Sequence, residues 1–223
     1  MTIDIVNLKS IPYFFGLSPN ELDEIINLIL EKEFQKGETI LFEGDSTRTL
    51  YFVGSGVVKM FKTSADGKEQ ILKIVHSKES FNDIPIFDDG PSPVSVQAMG
   101  PVILYGISKI DLDKILQDHP KIALNTVRVF ATQMRHLISL IEGLSFGHVI
   151  NRVAKILFDH AGNGSTSKPR LTQQEMAAMA GTAREVVSRS LKTLETTGAI
   201  RIERHRIIIV NREALMELTE VSY

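Results

Sequence analysis

Residues 171–210 read LTQQEMAAMAGTAREVVSRSLKTLETTGAIRIERHRIIIV. Thr172-Gln173-Gln174-Glu175 has the form of a capping box, so a helix starts at Gln173. Met176, Ala177 and Ala180 form its buried side. Gly181 stands where a tight interhelix turn needs a permissive backbone. Thr182 is placed to cap a second helix, from about Ala183 to Thr196. Val186, Val187, Leu191 and Leu194 face the core of that helix, and Gly198 stops it. Ile200–Glu203 and Arg206–Val210 read as two strands around Arg204-His205. The order is helix, turn, helix, β-wing.

In a motif of this order the first residues of the second helix enter the DNA major groove. Here they are Arg184, Glu185, Ser188 and Arg189, which share one helical face. Arginine donates two bonds to guanine O6 and N7, and glutamate accepts from cytosine N4. Ser188 suits a base or a phosphate. The alternative is a solvated, salt-bridged helix surface; the surrounding motif selects base reading. Phosphate contacts are expected from Arg170, Lys192, Arg204 and Arg206. Backbone N–H groups at the helix starts Thr172 and Thr182 are expected to join them.

Upstream lies the clearest periodic feature. Val127, Phe130, Met134, Leu137, Ile141 and Leu144 step by threes and fours, an a/d seam. Its alternative is a stripe packed on its own domain; its regularity favours a parallel coiled-coil homodimer. Gly147 interrupts the pattern, and His148 to Ala161 resumes as a helix. Gly162 to Pro169 is a Gly, Ser and Pro loop.

Residues 33–108 differ in character. Thr39–Phe42, Leu50–Val53, Val57–Lys62, Gln70–Val75, Val94–Ala98 and Val102–Ile107 are short β-rich runs between turn signals. Asp66-Gly67 marks a hairpin. Such spacing indicates an antiparallel sandwich or barrel. Ser18-Pro19-Asn20-Glu21 starts a helix ahead of it, and Asp111 to Leu116 forms a short helix after it. The expected architecture is α+β: an N-terminal antiparallel β-roll (a jelly-roll) over residues 1–119, a long coiled-coil dimerisation helix over 120–146 and a C-terminal winged helix-turn-helix over 147–223.

Composition supports this division. Residues 1–145 hold 14 Lys+Arg and 19 Asp+Glu, whereas 146–223 hold 11 and 8. An acidic body with a basic tail suggests two tasks on one chain. No apolar run approaches a membrane span, and the acidic start does not read as a signal peptide, so a cytoplasmic protein is expected. Cysteine is absent, which excludes disulfides, thiolate catalysis and cysteine-held iron–sulfur clusters.

Over nearly its whole length the chain resembles the cyclic-AMP receptor protein / fumarate–nitrate reductase regulator (CRP/FNR) superfamily. Thr182-Ala183-Arg184-Glu185-Val186-Val187-Ser188-Arg189 carries the resemblance, with Phe42-x-Gly44-Asp45, Gly56-x-Val58 and Asp66-Gly67-Lys68-Glu69 in the β-roll. The Arg-Glu pair and final Arg resemble the first branch, and Glu-x-x-Ser-Arg the second. The resemblance implies a transcription regulator on a palindrome with TGTGA/TTGAT-like half-sites sharing a GA step, and RNA polymerase as a further partner. It also implies that an effector at the β-roll changes the packing of the dimer helices and rotates the C-terminal domains. Gly143, Gly147 and Ser145-Phe146 are the expected hinge.

The family's cyclic-nucleotide cassette does not carry over. Its Gly-Glu place holds Asn82-Asp83, and its Arg-Ser place holds Pro93-Val94. The arginine that would neutralise a cyclic phosphate is missing, and an unpaired anion in a partly buried pocket is strongly disfavoured. Leu137 and Ile138 stand where an adenine would be met. Cyclic AMP is therefore not expected in the usual way. Haem is a less favoured option, with His76 and His136 as the better-placed histidines. The expected effector is small and neutral or apolar, in a pocket of Leu72, Ile74, Phe81, Asn82, Asp83, Ile84, Val94, Met134, Leu137 and Ile138, with Ile86 and Val96 beside them. The plain alternative for that set is core. Three other readings compete: a ligand-free regulator controlled by abundance, a sensor subunit that does not bind DNA, and an enzyme. No P-loop, nucleophile elbow or zinc spacing supports the last.

Overall fold

The structure, a computed structural model, describes residues 8–146, 148–160, 171–203 and 206–220. Gly147, Arg170, Arg204 and His205 lie outside the described residues, as do the side chains of Leu144, Ser145 and Phe146. The chain divides into two compact units. One runs to Lys62 and includes Leu72–Met134; the other holds Thr63–Ile71 and the residues from Arg135 onward. The division falls inside the long helix.

In the first unit a short 3-10 turn (Pro12–Phe14) precedes α1 (Pro19–Ile26). The helix opens on the expected capping box: Ser18 Oγ accepts from the Glu21 N–H, and Glu21 accepts from the Ser18 N–H. The Ser18 hydroxyl first and the Ser18 N–H second, before the nearby His119, donate to the Glu21 carboxyl and hold it below its usual range. Eight strands follow: β1 (Leu30–Phe34), β2 (Thr39–Leu41), β3 (Thr49–Ser55), β4 (Val57–Thr63), β5 (Glu69–His76), β6 (Ser80–Phe81), β7 (Ser95–Ala98) and β8 (Val102–Ser108). They form two four-stranded sheets, ordered β1-β8-β3-β6 and β2-β7-β4-β5. The pairs β1–β8, β8–β3, β3–β6, β2–β7 and β7–β4 are antiparallel.

Alternation decides the layering. On β3, Tyr51 and Val53 meet the second sheet with Val58, Val75 and Val96, while Leu50 and Phe52 point the other way. That second face packs under Tyr13, Phe14, Leu22, Ile25 and Ile122, so the first sheet is buried on both sides. A continuously apolar β3 follows from this double burial.

In this unit β1, β6 and the helix after β6 were not expected. β1 is Leu-Glu-Lys-Glu-Phe, an edge strand on which charge blunts further pairing. Asp83–Asp88, where the sequence showed no element, is a helix, α2. Then come α3 (Lys109–Asp118), capped by Ser108, and the 27-residue α4 (Pro120–Phe146).

The N-terminal segment is tied down by polar groups. Asn125 Nδ2 donates to the carbonyls of Tyr13 and Phe15 at 3.0 and 2.9 Å. The buried Asp83 carboxylate accepts from the Tyr13 hydroxyl and, at 2.7 Å, from Ser80 Oγ. Burial first, and the Asp83 charge second, push the Tyr13 hydroxyl's pKa far above the ordinary tyrosine value. The neutral phenol is thus favoured in the folded state. Its contribution is complete below about pH 10 and declines as pH rises beyond that, where the unfolded tyrosine ionises.

Tyr13→Phe should lower unfolding stability at neutral pH by about 1–3 kcal/mol, since Asp83 loses a buried donor. The variant should also lose less stability than the wild type between neutral pH and pH 11. Denaturant titrations at both pH values check both outcomes.

Candidate functional site

The second unit builds a three-helix core with a wing. α5 (Val149–His160), α6 (Gln173–Ala180) and α7 (Arg184–Thr196) are followed by β9 (Ile200–Glu203), β10 (Arg206–Ile209) and α8 (Arg212–Glu220). Val153, Leu157, Met176, Ala177, Ala180, Val187, Leu191 and Leu194 form its centre. α8, not foreseen from sequence, adds Leu215 to that core and stacks Arg212 on Phe158 at 4.4 Å.

The helix-turn-helix geometry follows from local chemistry. Glu175 N–H donates to Thr172 Oγ1 at 3.1 Å and Thr172 N–H to Glu175 Oε2 at 2.6 Å, closing the capping box. α6 ends at Gly181, whose φ of 62° is left-handed. The N–H groups of Gly181 and Thr182 both turn back to the Ala177 carbonyl. On α5, Arg152 Nε donates to the Ala180 carbonyl at 2.8 Å, a cation at the negative end of α6.

This arrangement corrects one expectation. Ala183, not Thr182, is the N-cap of α7, and it brings no side-chain acceptor. The reason is that Thr182 closes the preceding helix. The N–H groups of Thr172 and Thr182 themselves are engaged within the protein, which leaves the following N–H groups of each first turn as the expected phosphate donors.

The burial of α7 sorts its residues cleanly. Val187, Ser190, Leu191 and Leu194 are buried; Arg184, Glu185, Ser188, Arg189 and Lys192 are exposed on the opposite side. Among the described residues, Arg184, Glu185 and Arg189 have no ion-pair partner, unlike Arg201, which pairs Glu203 at 2.7 Å. Arg206 is exposed at the start of β10. Glu195 Oε1 accepts from the Ile202 N–H at 2.9 Å and so ties the wing to α7.

In the sheet unit the cassette positions are bonded within the protein, except that the buried Asn82 Oδ1 has no hydrogen-bond partner among the described residues. Asn82 is left-handed at φ 65° and donates to the Thr47 and Thr49 carbonyls. Asp83 is occupied by Tyr13 and Ser80. Ser92 N–H donates to the Asp45 carbonyl and its hydroxyl to Val94 O, holding 92–94 in place. These residues present no cation to a cyclic phosphate.

Of the residues expected to line an effector pocket, Phe81, Ile86, Val94 and Val96 are core, while Ile84, Met134, Leu137 and Ile138 are exposed. None of the expected set lines the cavity of about 420 Å³ found in this unit. On the seam, Val127, Met134, Leu137 and Ile141 are 51–64% exposed. Phe130 turns to its own unit instead, edge-on to Phe87 at 5.5 Å.

Comparison with known proteins agrees with this architecture. Residues 31–119 match a cyclic nucleotide-binding domain and 151–218 a Crp-like helix-turn-helix domain. The cyclic AMP receptor protein of Thermus thermophilus is 30% identical over 216 residues, covering 97% of this chain and 99% of its own. The fumarate and nitrate reduction regulatory protein of Escherichia coli is 25% identical over 212 residues, covering 92% and 84%. The structure of FixK2 from Bradyrhizobium japonicum superposes with a TM-score of 0.77 at 22% identity, covering 87% and 99%, a likeness of fold. Fold and site together define a DNA-binding transcription regulator. The chain belongs to the CRP/FNR superfamily.

Arg189→Ala should remove about 1–3 kcal/mol of discrimination at one base pair of the site. The check is competition binding against single-base variants of the site. Equal discrimination by mutant and wild type would move the reading face elsewhere.

Proposed function

We propose that the chain is a homodimeric regulator that reads a palindrome with TGTGA/TTGAT-like half-sites, and that it does not take cyclic AMP in the usual way. The observation that carries the first part is the exposed, unpaired set Arg184, Glu185, Ser188 and Arg189 on α7. Unpaired arginine forks can meet guanine edges without first breaking an ion pair. Lys192 and Arg206 are exposed cations suited to flanking phosphates.

The dimer reading rests on the apolar side chains that α4 leaves open at Val127, Met134, Leu137 and Ile141. A second copy would cover them with its own, in knobs-into-holes fashion. Two-fold symmetry then sets two recognition helices about 34 Å apart, one turn of DNA, and makes the site palindromic. Arg170 and Arg204 complete the proposed phosphate contacts. No helix among the described residues is long and apolar enough to cross a membrane, and the regulator acts in the cytoplasm.

The loss of cyclic-AMP binding rests on the cassette. A cyclic phosphate would stand beside the Asp83 carboxylate with Pro93 and Val94 where the family has Arg-Ser. Two anions without a cation repel in a poorly solvated site.

Selection from a random double-stranded library, with no effector added, should enrich a palindrome of two GA-containing half-sites. Enrichment of a single unpaired half-site would refute the dimer. Leu137→Asp should give monomers by light scattering and lose the palindrome; a variant that stays dimeric would overturn the coiled-coil reading.

A further inference from the structure

One cavity serves neither the fold nor the DNA-reading face. It measures about 420 Å³ and lies where the N-terminal segment, the β5–β6 turn and the first half of α4 meet. That volume suits a small organic molecule. Ile11, Pro12, Phe15 and Val129 give it apolar walls, while Lys73, Lys78, Arg128 and Glu79 supply its charge.

Glu79 is already satisfied. Its Oε1 pairs with Lys73 Nζ at 3.2 Å, and its Oε2 accepts from the His76 N–H at 2.7 Å. Lys78 and Arg128 have no carboxylate partner among the described residues. Arg128 gives one bond, from Nη1 to Asn125 Oδ1 at 3.2 Å, and a guanidinium carries five donors. The cavity is thus apolar in its walls and cationic in its unmet charge.

The turn that carries Lys78 adds an independent sign. Lys78 has φ 77°, a left-handed conformation that glycine adopts freely and a side chain resists. A lysine held there against its backbone preference, at the lining of a cavity, marks a place where strain accompanies a site.

We propose that this cavity binds a small organic anion, an acid group on an apolar body, with Lys78 and Arg128 holding the acid and Phe15 and Val129 the body. It is separate from the cassette, since Asn82, Asp83, Pro93 and Val94 do not line it. Arg128, Val129, Thr132 and Gln133 lie on α4 between the seam residues Val127 and Met134. A ligand there bears directly on the proposed dimer helix. Its role as effector rests on the DNA-binding reading above; the binding itself does not.

The test uses the full chain and a matched pair of fluorescent probes. 8-Anilinonaphthalene-1-sulfonate is an aromatic anion, and N-phenyl-1-naphthylamine is the same body without the acid. The anion should bind saturably, and the neutral twin about tenfold or more weaker. Lys78→Gly and Arg128→Gln should each weaken the anion about tenfold while leaving the neutral probe unchanged. Lys78→Gly should do so without lowering the melting temperature, because it relieves the turn. Absence of saturable anion binding, equal binding of the twins, or unchanged anion affinity in both variants would overturn the proposal. Binding of the selected palindrome by the same preparations separates a failure of the cavity from a failure of the DNA reading.

Discussion

The face proposed to read DNA depends on how α7 is buried. Its 13 residues must place Val187, Ser190, Leu191 and Leu194 against α5 and α6, where Leu191 and Leu194 are almost wholly hidden. With 3.6 residues per turn, that choice alone turns Arg184, Glu185, Ser188 and Arg189 outward. The turn before α7 reinforces it. Gly181 and Thr182 direct both their N–H groups to Ala177, which fixes where α6 stops and α7 begins. Arg152 on α5 then holds the end of α6 through Ala180. The reading face is thus the remainder of a packing problem solved on its other side.

The sheet unit shows how a shared fold can carry different chemistry. A buried carboxylate without donors would be expensive, and Asp83 has two hydroxyls supplied by Tyr13 and Ser80. Tyr13 belongs to the N-terminal segment and Ser80 to β6, so the carboxylate joins parts distant in sequence. α2 begins at Asp83 and carries Phe87, whose ring meets Phe130 of α4. The segment after β6 therefore touches the long helix through aromatic packing.

Much of this was legible because its causes are local. The capping boxes at Ser18 and Thr172, the stop at Gly198 and the short β-rich run of β3 are each decided within a few residues. Other features were hidden for equally physical reasons. β1 is an edge strand whose charged residues mask its pairing. α2 has six residues, too few to show a helical period. Thr182 looked like a cap because Ser and Thr favour that place; the competing demand of the helix behind it prevailed. The cavity draws on three segments far apart in the chain, so no local pattern announces it.

Phe130 shows how one helix can serve two surfaces. By its spacing it belongs to the seam with Val127 and Met134, yet its ring packs on Phe87 while those neighbours remain open. A seam with every position filled would lock two helices in one register. Diverting one aromatic to the sheet unit leaves the helix anchored at that point and open on either side of it. Any displacement of α2 or of the N-terminal segment must then be felt by α4 through Phe130 or through Asn125, which holds Tyr13 and Phe15. Packed aromatic contacts of this kind have discrete arrangements rather than a continuum. A two-state coupling between the sheet unit and the seam needs just such contacts, and they lie on the same stretch of α4 as the cavity.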